Sequence, residues 1–264
     1  MKDSISPKRS IKANSLRKVP FHYCAGCGHG IVHRIIAEIL DEMGLRESTI
    51  AVAPVGCSVI AYEYFNFDVT EAPHGRPPAV ATGIKRIHPD KLVFTYQGDG
   101  DLAAIGTSEI IHVANRGERI TTIFVNNAVY GMTNGQMAPT TLLGQRTETT
   151  PLGRDALRDG YPLKITEMLA VLPGVQFLAR STVHTPQDIL KTKKLIKRAF
   201  DIQLNGHGFS LVEVLSMCPT CWGLSPQEAL DFVRNRMIPF YPLGIIKEPD
   251  KNENGHYGKE QPKK

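Results

Sequence analysis

The chain has 264 residues, 42% of them hydrophobic, with five cysteines and a formal net charge of +5. No apolar run is long enough for a transmembrane helix, and residues 1–20 lack the apolar core and cleavage site of a signal peptide. Basic residues are not interleaved with aromatics, which argues against nucleic-acid binding. An odd cysteine count without a secretory signal argues for the reducing cytoplasm, with no membrane partner.

Residues 1–20 read as a basic arm suited to packing on a partner. FHYCAGCGHG (21–30) then sets Cys24 and Cys27 three positions apart, with three glycines in the five residues 26–30. In 31–44, Ile31, Ile35, Ile39 and Met43 recur at helical spacing beside Val32, Ile36 and Leu40, with Gly44 as the stop. TIAVAPV (49–55), KLVFTYQG (91–98) and ITTIFVNN (120–127) read as buried strands, and 101–117 as a helix closed by Gly117. Residues 128–162 show little periodicity; a segment of that length inside a compact domain is usually functional. GVQFLARS (174–181) and FSLVEVLS (209–216) are further strands. Between them a helix runs from Pro186 to Gly206, and a last helix over 225–237 opens with Ser225 and Pro226. This alternation predicts an α/β fold, a mostly parallel sheet covered by helices on both faces. The domain is expected over 21–245, with a polar tail at 246–264.

In such a sheet, ligands gather beyond the C-terminal ends of the strands. One strand runs into Gly98–Asp99–Gly100–Asp101, followed by a helix start. The glycines permit close backbone approach and the helix start can receive a phosphate oxygen. An acid there repels phosphate unless a divalent cation lies between them, so Asp99 is a natural Mg²⁺ ligand. The next strand ends in Asn126–Asn127, and the Asn127 side-chain oxygen with a carbonyl just beyond it can complete the coordination. A capping Asp and a turn Asn are the plain alternative.

Cys57 lies in VGCS after one strand and Cys218 in SMCPTC after another. Together with Cys24 and Cys27 they suit an iron–sulfur cluster. Structural zinc, a redox dithiol and unrelated buried thiols remain open on the residues alone.

GDGD followed after an interval by NN resembles the thiamine-diphosphate-binding motif. More widely, YCAGCGHG, VGCS, HGRPPAVATGIK, YQGDGD, NNAVYGMTNGQMAPTT and EVLSMCPTCWG together resemble the β subunit of 2-oxoacid:ferredoxin oxidoreductases, over roughly residues 20–245. The resemblance implies a thiamine-diphosphate-binding fold of the diphosphate-binding type, carrying thiamine diphosphate, Mg²⁺ and one [4Fe–4S] cluster. It implies cluster ligation by Cys24, Cys27, Cys57 and Cys218, and Mg²⁺ ligation by the Asp99 and Asn127 side chains and the Val129 main-chain oxygen. Gly98, Gly100 and Asp101 fall near the diphosphate, as does the loop of Tyr130, Gly131, Met132 and Thr133; Gly56 and Ser58 border the cofactor. His74 and Arg76 fall on the catalytic side, where Arg76 can meet a carboxylate, and His29 borders the cofactor. Cys221 departs from the pattern and makes the fourth cluster ligand ambiguous.

The activity implied is coenzyme A-dependent oxidative decarboxylation of a 2-oxoacid, with electrons passed to ferredoxin. A branched-chain acid or 2-oxoglutarate is the favoured substrate. The partners implied are an α subunit with the pyrimidine-binding domain, a ferredoxin-like iron–sulfur subunit and a γ subunit. Two rival readings stand beside it. A non-redox thiamine-dependent decarboxylase or synthase gives the cysteines no task, and a non-catalytic iron–sulfur or zinc subunit leaves GDGD and NN unexplained.

Overall fold

The computed structural model describes residues 13–249; residues 1–12 and 250–264, most of the expected arm and tail, lie outside the described residues. Seven strands form one sheet: β1 (Thr49–Ala53), β2 (Asp68–Glu71), β3 (Leu92–Gly98), β4 (Thr121–Asn126), β5 (Val175–Thr182), β6 (Phe209–Leu215) and β7 (Gly244–Lys247). Their order is β2-β1-β3-β4-β6-β5-β7. Every pairing is parallel except that of β7 with β5.

Strand alternation sorts the core into two layers. Phe94, Tyr96, Ile123, Val125, Val212 and Val214 face one layer, built with α1 (His29–Met43) and α6 (Pro186–Leu204). Val93, Phe124, Phe209 and Leu211 face the other, with α2 (Pro77–Ile87), α3 (Thr107–Asn115) and α5 (Ile165–Ala170). Two covered faces explain why the central strands read as nearly unbroken apolar runs. Among the described residues, no helix is long and apolar enough to cross a membrane.

Helix ends follow the predicted chemistry. Gly44 closes α1 at φ 66°, and Thr185 caps α6 ahead of Pro186. Ser225 and Glu228 form a reciprocal capping box.

Two expected helices differ in detail. The helix expected over 101–117 is a wide π turn (Asp101–Ile105), a break at Gly106, and then α3. A Cβ on Gly106 would lie 2.4 Å from the Asp101 carbonyl and 2.8 Å from that of Gly75. The break therefore lets the loop before α2 approach the end of β3. The last helix, α8 (Pro226–Phe232), runs through a π turn (Val233–Met237) to Phe240, beyond the expected stop at 237. Before α1, Ser15 is fully buried and its hydroxyl donates to Asp41 at 2.6 Å, so the chain is tied to the body well ahead of residue 21.

Candidate functional site

Gly98 of β3 pairs with Val125 of β4, so Asp99 and Asn127 leave the sheet side by side. A cavity of about 250 Å³ opens there, beyond the C-terminal strand ends as parallel-sheet topology dictates. Asp99 is buried at its floor. Its carboxylate accepts from the Gly100 N–H (2.9 Å), the Thr140 hydroxyl (2.7 Å) and the Val129 N–H (3.2 Å). Burial nevertheless pushes its pKa up to about 6.

The fit of this floor to a metal can be tested on its oxygens. Asn127 Oδ1 lies 2.7 Å from the Val129 carbonyl oxygen and 3.3 Å from Asp99 Oδ2; with the amide turned over, its nitrogen would donate to both. Mg²⁺ bonded at about 2.1 Å sets neighbouring octahedral oxygens roughly 3 Å apart. Three converging oxygens at that spacing fit a small hard cation. The convergence depends on Ala128, whose φ of 58° turns the chain between Asn127 and Val129.

Asp101 lines the cavity but spends its oxygens on loops. Oδ1 accepts from His74 Nδ1 (2.7 Å), the Gly75 N–H (2.9 Å) and the Val55 N–H (3.3 Å); Oδ2 accepts from Gln97 (2.7 Å). It thus holds the loops after β1 and before α2 against the end of β3. Gly56 and Ser58 line the cavity from the first of these loops and His74 from the second. Tyr130, Gly131, Met132 and Thr133 close another side, with Met132 exposed at the mouth. A Cβ on Gly100 would lie 2.5 Å from the Tyr130 ring, so a side chain there would have to displace that ring. Arg76 does not line the cavity; it pairs with Glu109 of α3.

Every cysteine borders a second, smaller cavity of about 70 Å³, together with His22, Tyr23, Asn127 and Gly131. Cys57, Asn127 and Gly131 line both cavities. At Gly131 a Cβ would stand 3.1 Å from Cys57 Sγ and 3.5 Å from Cys218 Sγ. Burial pushes the Cys27 thiol up to about 11 and the Cys57 thiol up to about 12, with neighbouring thiols adding to it. The adjacent Cys221 thiol and burial raise Cys218. Among the described residues, no three His, Cys, Asp or Glu side chains are arranged to hold a metal ion as they stand. The donor set is nonetheless that of a soft metal or cluster, and the thiols are spread around a cavity rather than converging on one point.

Comparison with known proteins bears on both cavities. Residues 54–214 match the family model for the thiamine pyrophosphate enzyme C-terminal TPP binding domain. The chain is 37% identical over 242 residues to the 2-oxoglutarate synthase subunit KorB of Methanocaldococcus jannaschii, covering 89% of this chain and 85% of that subunit. The chain belongs to the β-subunit family of the thiamine-diphosphate-binding 2-oxoacid:ferredoxin oxidoreductases. It is also 50% identical over 222 residues to the ketoisovalerate oxidoreductase subunit VorA of Methanothermobacter thermautotrophicus, covering 84% of this chain but 46% of that subunit. This β-family chain thus spans about half the length of that relative. A solved 2-oxoglutarate:ferredoxin oxidoreductase from Magnetococcus marinus, with 2-oxoglutarate, coenzyme A and succinyl-CoA bound, superposes with a TM-score of 0.77 at 25% identity. That match covers 92% of this chain and 86% of the other.

The β-family chain also holds partners of the cavity residues that motif reading passed over. Thr140 bonds Asp99 from 41 positions away, inside the segment without periodicity. Tyr96 donates to or accepts from His29 Nδ1 at 2.8 Å, and burial holds His29 down at about 4. Tyr23 stacks on His29 with ring centroids 5.0 Å apart, which fills the space between the cysteine loop and the cofactor cavity. Neither strand periodicity nor motif spacing signals these partners; only the fold brings them together.

Proposed function

We propose that this chain is the thiamine-diphosphate-binding β subunit of a cytoplasmic, coenzyme A-dependent 2-oxoacid:ferredoxin oxidoreductase. It would act with an α subunit carrying the pyrimidine-binding domain, a γ subunit and a ferredoxin-like iron–sulfur subunit. The observation that carries the reading is the shared wall: Cys57, Asn127 and Gly131 border both the cofactor cavity and the thiol cavity. Bound thiamine diphosphate supplies an electron sink for decarboxylation, and a [4Fe–4S] cluster supplies one-electron transfer.

The chain's own residues then divide the work. Asp99, Asn127 and the Val129 carbonyl would hold Mg²⁺, which would supply the positive charge that a diphosphate needs beside an acid. Asp101 keeps His74 and the Val55–Ser58 loop in place. Tyr96 orients His29 at the cofactor wall. Cys24, Cys27, Cys57 and Cys218 hold the cluster; thiols spread around a cavity suit a polynuclear group better than a single ion. Arg76, paired with Glu109, acts on the loop and α3 rather than on substrate.

Identity of 50% with a ketoisovalerate oxidoreductase subunit, against 37% with a 2-oxoglutarate synthase subunit, favours a branched-chain 2-oxoacid. Turnover of the assembled complex on a panel of 2-oxoacids, with coenzyme A and viologen as acceptor, tests this. The expected result is highest kcat/KM on 2-ketoisovalerate, and loss of Mg²⁺-dependent thiamine diphosphate binding in Asp99→Asn. Preference for 2-oxoglutarate overturns the substrate; turnover with no need of thiamine diphosphate overturns the function.

A further inference from the structure

We propose that Arg154 is a positioning residue for the Mg²⁺ site, acting through Thr140. This rests on the proposed function, since it needs a cation on the cavity floor. Arg154 lies in the long segment after β4 and is buried, 6% exposed. A buried charge ordinarily has a carboxylate partner. Asp159, whose carbonyl Arg154 Nη2 reaches at 3.5 Å, gives its carboxylate instead to Arg158 (2.8 Å) and to the Asp155 N–H (2.9 Å). The Arg154 guanidinium is spent on main-chain carbonyls. Nη1 donates to Ala138 (3.3 Å), Pro139 (2.9 Å) and Thr141 (2.6 Å), Nε to Gly160 (2.9 Å) and Nη2 to Tyr161 (2.8 Å). A planar fork of N–H donors can tie two stretches of chain together in this way; the compact ammonium of a lysine cannot.

The stretch so gripped, 138–141, braces the cation site from two directions. The one carbonyl in it that Arg154 does not reach, that of Thr140, accepts from the buried Tyr241 hydroxyl (2.8 Å). All four carbonyls are therefore fixed. From this stretch the Thr140 hydroxyl donates to Asp99 Oδ2 (2.7 Å) and the Thr141 hydroxyl to the Ala128 carbonyl (2.7 Å). The first bond orients the carboxylate. The second holds the left-handed turn at Ala128 that brings Asn127 and Val129 to it. Groups that hydrogen-bond a metal ligand fix its orientation, and losing one typically lowers metal affinity about 10–100-fold. Arg154 thus acts on the floor oxygens without lining the cavity itself.

The test uses the assembled complex, purified anaerobically, and reads the Mg²⁺ concentration that supports half-maximal thiamine diphosphate binding, with iron content as the control. Thr140→Val keeps the shape and loses the hydroxyl; it should weaken Mg²⁺ affinity about tenfold or more, and Thr140→Ser should restore it. Arg154→Lys should weaken it in the same way. Because the two residues act in series, the double variant Thr140→Val/Arg154→Lys should be about as weak as the weaker single variant; losses that multiply would overturn the proposal. Tyr241→Phe frees the Thr140 carbonyl without removing a charge, and should also weaken Mg²⁺ affinity. Wild-type affinity in both Thr140→Val and Tyr241→Phe overturns the proposal whether or not Arg154→Lys assembles. Iron should stay at the wild-type level in every variant; iron lost along with Mg²⁺ affinity would mean a general loosening of the subunit and overturn it too. A wild-type complex that binds thiamine diphosphate without a divalent cation would overturn the function reading itself, and this proposal with it.

Discussion

Ala128 is fully buried at a φ of 58°, a left-handed conformation that costs an ordinary residue about 1–2 kcal/mol. Its surroundings hold it there. Its N–H donates to Asn126 Oδ1 (3.1 Å), and its carbonyl accepts from Thr141 (2.7 Å) and Gln145 (3.1 Å). The strain turns Asn127 and Val129 onto the same point as Asp99, the convergence that the proposed Mg²⁺ site requires. Gly75 plays a similar part next to the cavity-lining His74. It sits at φ 78°, and a Cβ would stand 2.7 Å from the Gly106 backbone nitrogen. Neither backbone can yield. Gly75→Ala should therefore destabilise the protein by about 2–3 kcal/mol and pull His74 away from Asp101. Urea unfolding reads the first effect and thiamine diphosphate titration the second; a variant of wild-type stability and affinity would contradict the account.

At the scale of elements, the end of β4 is anchored by buried charge. Glu213 of β6 accepts from Asn126 (2.7 Å), from Thr166 of α5 (2.5 Å) and from Arg180 of β5 (2.7 Å). Arg180 also bonds Glu167 through both terminal nitrogens. Glu213→Gln leaves Arg180 paired with Glu167 alone and weakens the bonds from Asn126 and Thr166, so it should cost about 1–3 kcal/mol, measured by urea unfolding. A cost below 1 kcal/mol would mean the network carries little. Asn126 is thus an anchor, whereas Asn127 beside it faces the cavity; the double Asn is legible in sequence, but its division of labour is not.

On α2, Lys85 is buried, donating to the Lys91 carbonyl at 2.6 Å, and burial lowers it from 10.5 to about 8, with Arg119 adding to the shift. Between about pH 8 and 10.5 the unfolded chain therefore holds more protons than the folded one, and stability from this group rises with pH. Lys85→Met should lose that rise. Its stability relative to wild type should be greatest below pH 8 and should fall as pH climbs to 10.5. Parallel stability profiles would refute the assignment.

The elements that sequence reading missed share physical causes. Edge strand β2 is mostly exposed and carries no apolar alternation, β7 is four residues long, and α2 opens on two prolines that hide its helical pattern. The π turn at Asp101 begins where its carboxylate accepts from the Gly75 N–H (2.9 Å), 26 positions away, a contact no local pattern encodes.

For the whole molecule, parallel topology converts scattered motifs into one region. VGCS follows β1, GDGD follows β3, NN ends β4 and SMCPTC follows β6; all four sheet neighbours run in the same direction. Their loops therefore meet at one end, and the cysteine loop before α1 joins them. This is why every residue expected at the cofactor lines the same cavity, from Gly56 and Ser58 to Met132 and Thr133. Arg76 stands apart because its charge is spent on Glu109, a pairing that spacing alone does not reveal. The central claim is that one wall separates a thiamine diphosphate site from an iron–sulfur cage. Its most direct test is iron, zinc, sulfide and thiamine diphosphate content per chain in the anaerobically purified complex, for wild type and Cys57→Ser. The account predicts about four irons with matching sulfide and bound thiamine diphosphate in wild type, and loss of iron with thiamine diphosphate retained in Cys57→Ser. Zinc in place of iron, or iron without thiamine diphosphate, would contradict it.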